Sequence, residues 1–419
     1  MSESPLVVSR SVLLRTGAGL GGLAGLGLLG ACSAEESSGP GASSTSGAPS
    51  SGTSGSASGS GSASPSASTS TSASPTEDAT EDATADAVPR RVRVRVASTL
   101  VTGLNVPWGL AFLPDGSALV SSRDTGRVHR VGPSGRRRTI GEVPSVSNVA
   151  SAGEAGLLGL ALHPDFPRRP WLYAYRSTAT ENQVVRMRFT PRGAGGGTLG
   201  RPQVLLDGIA KSVHHNGGAL AFGPSGHLFV ATGDAEVPSS AQDTGSLNGK
   251  VLRLEADGSV PAGNPWGNPV WSRGHRNVEG LAFDGSDLWA SELGEKTADE
   301  LNRIVRRGNY GWPDVEGSDG RGGYRDPLVQ WATDDASPAG IAVAHGRAWL
   351  ATLQGQCLYA VTLRGPRKGR VERFLTGRYG RLRSVAAAPD GSLWLGTSNT
   401  DGRTTPSAAD DRLLRLAVR

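Results

Sequence analysis

Cysteine is nearly absent from this chain, and no stretch shows the periodicity of an amphipathic helix. Only Cys32 and Cys357 occur in 419 residues. Because the first belongs to the processing signal described below, an intrachain disulfide framework is excluded. Cys357 lies in an apolar stretch, residues 353–359, and we expect it to be a buried strand residue rather than a nucleophile. Without helices, the fold has to be assembled from short strands.

The apolar run at the N-terminus is too short to cross a membrane comfortably. It covers residues 16–29, which is about 14 residues, whereas a spanning helix needs about 20. Arg10 and Arg15 precede it, and small residues lead to Cys32, as in a signal peptide. The Leu-Gly-Ala-Cys sequence resembles the lipobox of bacterial lipoproteins, which implies a signal peptide over residues 1–32 and lipidation at Cys32. An ordinary secretory signal is the alternative, and the export route stays open.

Residues 33–89 have few large apolar side chains and no basic ones. They are almost entirely Ser, Thr, Gly, Ala and Pro, with seven acidic residues. Such a segment cannot bury enough apolar surface to offset its chain entropy, so we expect a flexible tether. As a random coil it would reach about 40 Å. With Cys32, it predicts an extracytoplasmic protein that is anchored by lipid to the cell membrane.

Basic residues outnumber acidic ones in the part of the chain that follows the tether. The net charge of the sequence is +5 at pH 7; the tether contributes −7 and the first 32 residues +1, which leaves +11 on residues 89–419. A basic body suits an anionic ligand or surface. No nucleic-acid-binding module is recognisable, so nucleic acid is not an expected partner.

A short apolar phrase recurs six times in residues 90–419. Its copies begin at Gly109, Gly159, Ala219, Gly280, Gly340 and Ser384, which are 44 to 61 residues apart. Turn residues follow each phrase, as at residues 114–117, and then a second apolar run, which is a hairpin signal. Six such repeats predict an all-β fold, a six-bladed β-propeller with four-stranded antiparallel blades. A β-sandwich or β-helix is the alternative, although these repeats are too long for the coils of a β-helix.

Four stretches between the strands do not resemble ordinary turns. They are residues 212–218, 274–280, 308–313 and 380–384. The first, second and fourth each precede the first strand of a repeat. Because each blade of a propeller delivers its loops to the same axial funnel, we expect these stretches to meet at one mouth.

The side chains in these stretches suit acid–base chemistry on an anionic ligand. His215 can act as a general base if Asp234, which follows the second strand of the same repeat, fixes its tautomer. Arg276, Arg381 and Arg383 can hold carboxylates by charge-assisted hydrogen bonds. Each of these residues alone is commonly a surface residue, and their joint placement at one mouth is what favours function.

In combination these segments resemble the soluble quinoprotein glucose/sorbosone dehydrogenase family. The resemblance runs from about residue 101 to 418 and rests on the segments GLLGLALHPDF (156–166), HNGG (215–218), GKVLRL (249–254), GHRN (274–277), DELN (299–302) and GNYGWP (308–313). It implies a six-bladed propeller that holds pyrroloquinoline quinone (PQQ) and Ca²⁺ on its axis. It also implies oxidation of an aldose or related alcohol, with hydride transfer to the quinone and an electron acceptor that the sequence does not identify.

The resemblance also assigns roles to residues that match the family's motifs. By this assignment His215 is the general base and Asp234 orients it, while the main-chain carbonyls of Gly294 and Glu295 ligate the calcium. The expected quinone-binding residues are Arg276, Asn277, Arg381, Arg383 and, at the position of a family lysine, Gln354. Glu154 stands where glucose-oxidising members have a Gln and is the expected substrate residue.

Several departures from the family pattern keep other functions open. Ala219 replaces a common Arg, Gln354 replaces the lysine, and Glu295 replaces a Pro beside the calcium ligand. A non-catalytic cell-surface propeller that binds sugars or a protein partner is therefore the first alternative. A calcium-dependent lactonase on a similar propeller is the second, and it would need side-chain carboxylates that converge on an axial metal.

Overall fold

The computed structural model describes residues 91–145, 153–193, 195–320 and 322–419. The expected signal peptide, Cys32 and the expected tether lie outside these residues. In the part of the chain that is described, no helix is long and apolar enough to span a membrane. The helices there include two single-turn 3-10 helices, Pro238–Ala241 and Gly365–Arg367.

The described residues form six antiparallel sheets, each of which is one blade. The chain starts with β1 (Val94–Val101), which belongs to the sixth blade. Blade 1 consists of β2 (Pro107–Phe112), β3 (Ala118–Ser122), β4 (Arg127–Val131) and β5 (Arg137–Glu142). Blade 2 consists of β6 (Leu157–Leu162), β7 (Trp171–Ser177), β8 (Glu181–Arg192), β9 (Gly196–Leu199) and β10 (Gln203–Ala210). Blade 3 consists of β11 (Leu220–Phe222), β12 (Leu228–Ala231), β13 (Lys250–Leu254) and β14 (Val270–Arg273).

Blades 4 to 6 follow in the same order along the chain. Blade 4 consists of β15 (Val278–Asp284), β16 (Asp287–Glu292), β17 (Asp299–Ile304) and β18 (Val329–Trp331). Blade 5 consists of β19 (Pro338–Ala344), β20 (Arg347–Thr352), β21 (Leu358–Thr362) and β22 (Val371–Phe374). Blade 6 consists of β23 (Leu382–Ala387), β24 (Leu393–Thr397) and β25 (Leu413–Val418), together with β1. The predicted six-bladed β-propeller is confirmed. Cys357, directly before β21, is fully buried and forms no disulfide within the described residues.

The sixth blade combines the two ends of the described chain. β1 pairs antiparallel with β25, from Val94 opposite Val418 to Val101 opposite Leu413, and so supplies the outer strand of the blade. The repeat pattern did not predict this closure. Blade 2 is the blade of the described residues that departs from four strands, because β9 pairs with β8 as a fifth strand.

The glycines that begin several repeats allow the inner strands of neighbouring blades to approach each other. A Cβ atom on Gly109 of β2 would lie 2.6 Å from the backbone nitrogen of Leu160 in β6. A Cβ atom on Gly159 of β6 would lie 2.2 Å from the carbonyl oxygen of Gly218, beside β11. Both distances are too short for any larger residue, so blade packing at the axis requires glycine at these positions.

A central cavity of about 80 Å³ is lined by the first strand of every blade. Its lining includes Trp108, Leu160, Leu220, Glu279, Ile341 and Val385. The first strand of each blade therefore lies innermost. Segments that precede these strands meet at one end of the axis, which we call the mouth.

Candidate active site

The predicted loop stretches come together at the mouth. The backbone nitrogen of Asp234, after β12, donates to the carbonyl oxygen of Arg276, before β15, at 2.8 Å. Arg383, at the start of β23, reaches Glu279 of β15, with Nη1 and Oε2 2.7 Å apart. These contacts join blades 3, 4 and 6 around the axis, so the mouth predicted from the repeats is present.

His215 and Asp234 form a hydrogen-bonded pair at the mouth. His215 Nδ1 lies 2.8 Å from Asp234 Oδ1, and the Asp234 side chain is fully buried. Trp312 Nε1 donates to Asp234 Oδ2 at 2.8 Å, and the backbone nitrogen of Glu236 donates to Oδ1 at 2.9 Å. With its acceptor on Nδ1, the imidazole carries its hydrogen there and leaves Nε2 as a proton acceptor.

The backbone around His215 is held from three sides. His215 has a φ of 55°, a conformation that is costly for a non-glycine residue. Its backbone nitrogen donates to Glu154 Oε2 at 2.9 Å, and the nitrogen of Gly217 donates to Asn277 Oδ1 at 2.9 Å. Tyr175 from blade 2 donates to the carbonyl oxygen of Asn216 at 2.9 Å. Asn277 and Glu154 therefore both position the base.

Arg276 has donor capacity left over. Its guanidinium lies over the ring of Trp312, 5.5 Å from the ring centroid, and Nη1 donates to the carbonyl oxygen of Leu293 at 3.3 Å. Within the described residues, its Nε is buried and has no hydrogen-bond partner. Buried unpartnered donors are uncommon in folded proteins, so this atom is a candidate for ligand contact.

Arg381 and Arg383 lie at the mouth but are paired internally. Arg381 Nε donates to Asp401 Oδ2 at 2.8 Å, and the Arg383 guanidinium bonds Glu279. All four side chains are buried. Burial raises the pKa of Glu279, and the neighbouring Arg383 opposes that shift. These two arginines therefore contribute less free positive charge to the mouth than the sequence suggests.

The loop at Gly294 and Glu295 is organised by a carboxylate that the sequence did not identify as its anchor. Glu316 Oε1 accepts hydrogen bonds from four successive backbone nitrogens, those of residues 295–298, at 2.5 to 3.2 Å. No described group donates to the carbonyl oxygens of Gly294 and Glu295. A small cavity of about 10 Å³ lies between this loop and Arg276. Both carbonyls are thus available to a cation.

A buried network behind Arg276 stiffens this side of the site. His275 Nδ1 lies 2.8 Å from Glu292 Oε2, and its Nε2 lies 2.9 Å from Ser272 Oγ. Asn302 Nδ2 donates to both Glu292 and Glu300, at 3.1 and 2.7 Å. Burial, with the Glu292 carboxylate nearby, raises the pKa of Glu300 to about 8. Within the described ranges, no three His, Cys, Asp or Glu side chains form a metal-binding group.

The remaining expected site residues differ in their surroundings. Gln354, after β20, is exposed, and Ala219, before β11, is buried. Glu154 Oε1 accepts from Arg403 Nη2 at 3.2 Å, across 249 positions in sequence. Arg403 lies in the long loop between β24 and β25, outside every motif, and no sequence signal pointed to it.

Comparisons with known proteins agree with this architecture. Residues 104–414 match the family model for glucose/sorbosone dehydrogenases. The quinoprotein glucose dehydrogenase B of Acinetobacter calcoaceticus is 37% identical over 59% of this chain and 59% of its own length, so the match spans less than two thirds of that relative. The aldose sugar dehydrogenase YliI of Escherichia coli is 28% identical over 75% of this chain and 92% of its own.

A solved structure, the PQQ-bound form of an aldose sugar dehydrogenase from Streptomyces coelicolor, is 49% identical to this chain. It superposes with a TM-score of 0.75 over 80% of this chain and 100% of its own. With the family model matched over most of the sequence and the propeller in place, this chain belongs to the glucose/sorbosone dehydrogenase family.

Proposed function

We propose that this protein is a PQQ- and calcium-dependent dehydrogenase that oxidises the C1 hydroxyl of an aldose, or a related alcohol, to the lactone level. The observation that carries the proposal is the His215–Asp234 pair at 2.8 Å, which faces a mouth that also contains Arg276. The Acinetobacter and Streptomyces relatives, which are named as a quinoprotein and as a PQQ-bound enzyme, support the choice of cofactor.

The residues at the mouth fit an anionic quinone with a bound cation. Arg276 offers a buried Nε that has no partner among the described residues, and the carbonyl oxygens of Gly294 and Glu295 are oxygen ligands of the kind that Ca²⁺ prefers. Arg276 and Asn277 would hold the quinone, with Arg381, Arg383 and Gln354 at its periphery. When bound, the quinone supplies a two-electron acceptor and the calcium a Lewis acid that polarises it.

The chain's own residues supply the proton chemistry. His215 Nε2 accepts the proton of the substrate hydroxyl while the hydride leaves C1, and Asp234 stabilises the resulting imidazolium. The hydrogen bond from Trp312 and the burial of Asp234 keep the carboxylate in place during this step. Glu154, whose charged side chain borders the base loop, contacts the substrate.

Reconstitution of the full-length protein tests this proposal. Titration with PQQ and Ca²⁺ should give a stoichiometric absorbance change, and the reconstituted protein should reduce an artificial dye with members of an aldose panel. The His215→Ala variant should bind PQQ but lose turnover. His227→Ala, which alters a histidine paired with Glu255 outside the mouth, is the matched control and should keep turnover. Neither absorbance change nor turnover in the wild type would refute the proposal.

A non-catalytic binding function is the second candidate. It is favoured by the internal pairing of Arg381 and Arg383 with Asp401 and Glu279, and by the neutral, exposed Gln354. Fewer free cations at the mouth would weaken the hold on a carboxylate-rich quinone. Sugar binding without any PQQ-dependent absorbance change in the same titration would select this candidate.

We also propose that Cys32 is lipidated and that the protein is anchored outside the cytoplasm by this lipid. The lipobox-like Leu29-Gly30-Ala31-Cys32 sequence supports the proposal. Labelled fatty acid should be incorporated into the wild type and not into Cys32→Ala, which should appear in the medium. Equal labelling of both proteins would contradict the anchor.

A further inference from the structure

An ion pair links the loop after β24 to the base loop at the mouth. Glu154 uses one carboxylate oxygen for each neighbour: Oε2 accepts from the backbone nitrogen of His215 at 2.9 Å, and Oε1 accepts from Arg403 Nη2 at 3.2 Å. The Arg403 side chain is 27% exposed and that of Glu154 is 16% exposed. The pair therefore lies nearer to solvent than the buried pairs of Arg381 and Arg383.

The position of Arg403 is fixed by Asp401, which also contacts the buried Arg381 and Arg383. Its backbone nitrogen donates to Asp401 Oδ1 at 3.1 Å. Asp401 Oδ2 accepts from Arg381 Nε at 2.8 Å and lies 4.0 Å from Arg383 Nη2. A continuous set of contacts thus runs from the two buried arginines through Asp401 and Arg403 to Glu154 and the backbone of His215.

We propose that Arg403 is a positioning residue for the base: by pairing with Glu154 it holds the His215 backbone and offsets the negative charge that Glu154 places against that backbone. The inference rests on the proposed role of His215 as general base. Without Arg403, the Glu154 carboxylate would lose its ion-pair partner and keep only the more distant charge of Arg383, so its own charge would favour the imidazolium form more strongly. Arg403 therefore keeps the base deprotonated at lower pH than Glu154 alone would allow.

Other charged groups also act on His215, and the proposal leaves them unchanged. Asp234 bonds its Nδ1 from the end of β12, and the adjacent His214 and Glu236 form their own pair at 2.9 Å. Arg276 lies on the blade 4 side of the mouth, where its carbonyl oxygen contacts Asp234. Because these groups are present in every variant below, differences between the variants report on the Glu154–Arg403 pair.

The test is a double-mutant cycle with opposite signs. In full-length protein with isotope-labelled histidine, the ring titration of His215 is followed by NMR, with His215→Asn used to assign its signal. Arg403→Gln should move the titration midpoint to higher pH by about 0.5 to 1 unit, the shift expected when one nearby positive charge is removed. Glu154→Gln, which keeps an acceptor for the His215 backbone nitrogen, should move it to lower pH. The double variant should return close to the wild type.

Two further variants separate positioning from general damage. Arg403→Lys keeps the charge and should stay close to the wild type. Arg412→Gln removes another arginine of the same loop, which is paired with Asp410 and 26% exposed, and should not move the titration. An unmoved midpoint in Arg403→Gln, shifts of the same sign in both single variants, or an equal shift in Arg412→Gln would overturn the inference.

Enzyme kinetics then distinguish this inference from the proposed function. In PQQ- and calcium-reconstituted protein with an aldose substrate, the acidic limb of kcat/KM should follow the NMR midpoints in each variant. A wild type without turnover would defeat the proposed function, and the NMR cycle would still decide whether Arg403 acts on His215. Turnover with an acidic limb that ignores Arg403 would defeat the inference alone.

Discussion

The two oxygens of Asp234 accept three hydrogen bonds, and each bears on how His215 can act. One comes from the imidazole, one from Trp312 and one from the backbone of Glu236. All three donors need an acceptor, which a carboxylate provides at both oxygens and an amide does not. The buried aspartate is therefore matched to its surroundings as an anion.

Replacing Asp234 by Asn tests this match. We expect kcat to fall by about 10³ to 10⁴, because the amide no longer secures the imidazole tautomer or stabilises its cation. PQQ affinity, measured by absorbance titration, should change little. Glu255→Gln, which alters a carboxylate paired with His227 away from the mouth, is the control. A kcat within tenfold of the wild type would show that Asp234 does not support a general base.

The single residue Glu300 makes the free energy of unfolding depend on pH. Its pKa is raised to about 8 by burial and by Glu292. The folded state thus binds a proton that the unfolded state has lost, and through this group the free energy of unfolding falls as pH rises from about 4.5 to 8. Glu300→Gln should therefore gain melting temperature relative to the wild type between pH 5 and pH 8.

The gain should be a few degrees, at about 1.5 °C per kcal/mol for a domain of roughly 330 residues. Thermal melts at both pH values measure it. Glu142→Gln, at an exposed position of β5, should show the same difference from the wild type at both pH values. A Glu300→Gln difference that is flat with pH would contradict the raised pKa.

Among the elements, the first strand of each blade is the one that the sequence describes best. The recurrent phrases begin at or beside β2, β6, β11, β15, β19 and β23, and all six strands line the axial cavity. Their regular spacing, their glycines and the turns that follow them are local features, and local features can be read from sequence. The stretches before these strands could be placed at the mouth for the same reason.

Packing at the axis gives a prediction for one of these strands. Gly159→Ala in β6 would bring a Cβ atom to 2.2 Å from the carbonyl oxygen of Gly218. Since only backbone can yield there, we expect a loss of about 1 to 3 kcal/mol or more, measured by denaturant unfolding. Gly323→Ala, where a Cβ atom has nothing within 4 Å, should be nearly neutral. Equal stability of the two variants would contradict close packing at the axis.

Other parts of the site could not be read from the sequence, because they depend on long-range packing. Glu316 anchors the loop of Gly294 from about 20 positions away, and Arg403 reaches Glu154 across 249 positions. The partner of Arg383, Glu279, likewise became visible only when blades 4 and 6 were brought together, and the partner of Arg381, Asp401, lies in the loop after β24. A motif identifies a side chain, but its charge balance depends on neighbours that no motif includes.

At the scale of the whole molecule, the ring of blades closes through β1. Leu100 and Val101 of β1 are buried, and Val96 packs against the core of the last blades. Without β1, the outer edge of β25 would be unpaired and this apolar surface exposed. The repeats predicted six blades, but the strand that completes the sixth precedes the first copy of the phrase.

Deletion of β1 should therefore destabilise the entire propeller. A chain that starts at residue 103 should melt roughly 10 °C or more below one that starts at residue 91, or should aggregate. A synthetic peptide of residues 91–102 should restore part of the loss when it is added in excess. Identical melting curves for the two chains would show that β25 is a sufficient outer edge.

The direction of β1 determines at which end of the axis the described chain enters the propeller. The first strand of each blade starts at the mouth, so the fourth strand starts at the opposite end, and β1 is the fourth strand of its blade. Arg93 and Arg419 exchange backbone hydrogen bonds at that end, at 2.7 and 3.0 Å. The described chain therefore enters the propeller at the end of the axis opposite the mouth, and the opening with His215 lies at the other end.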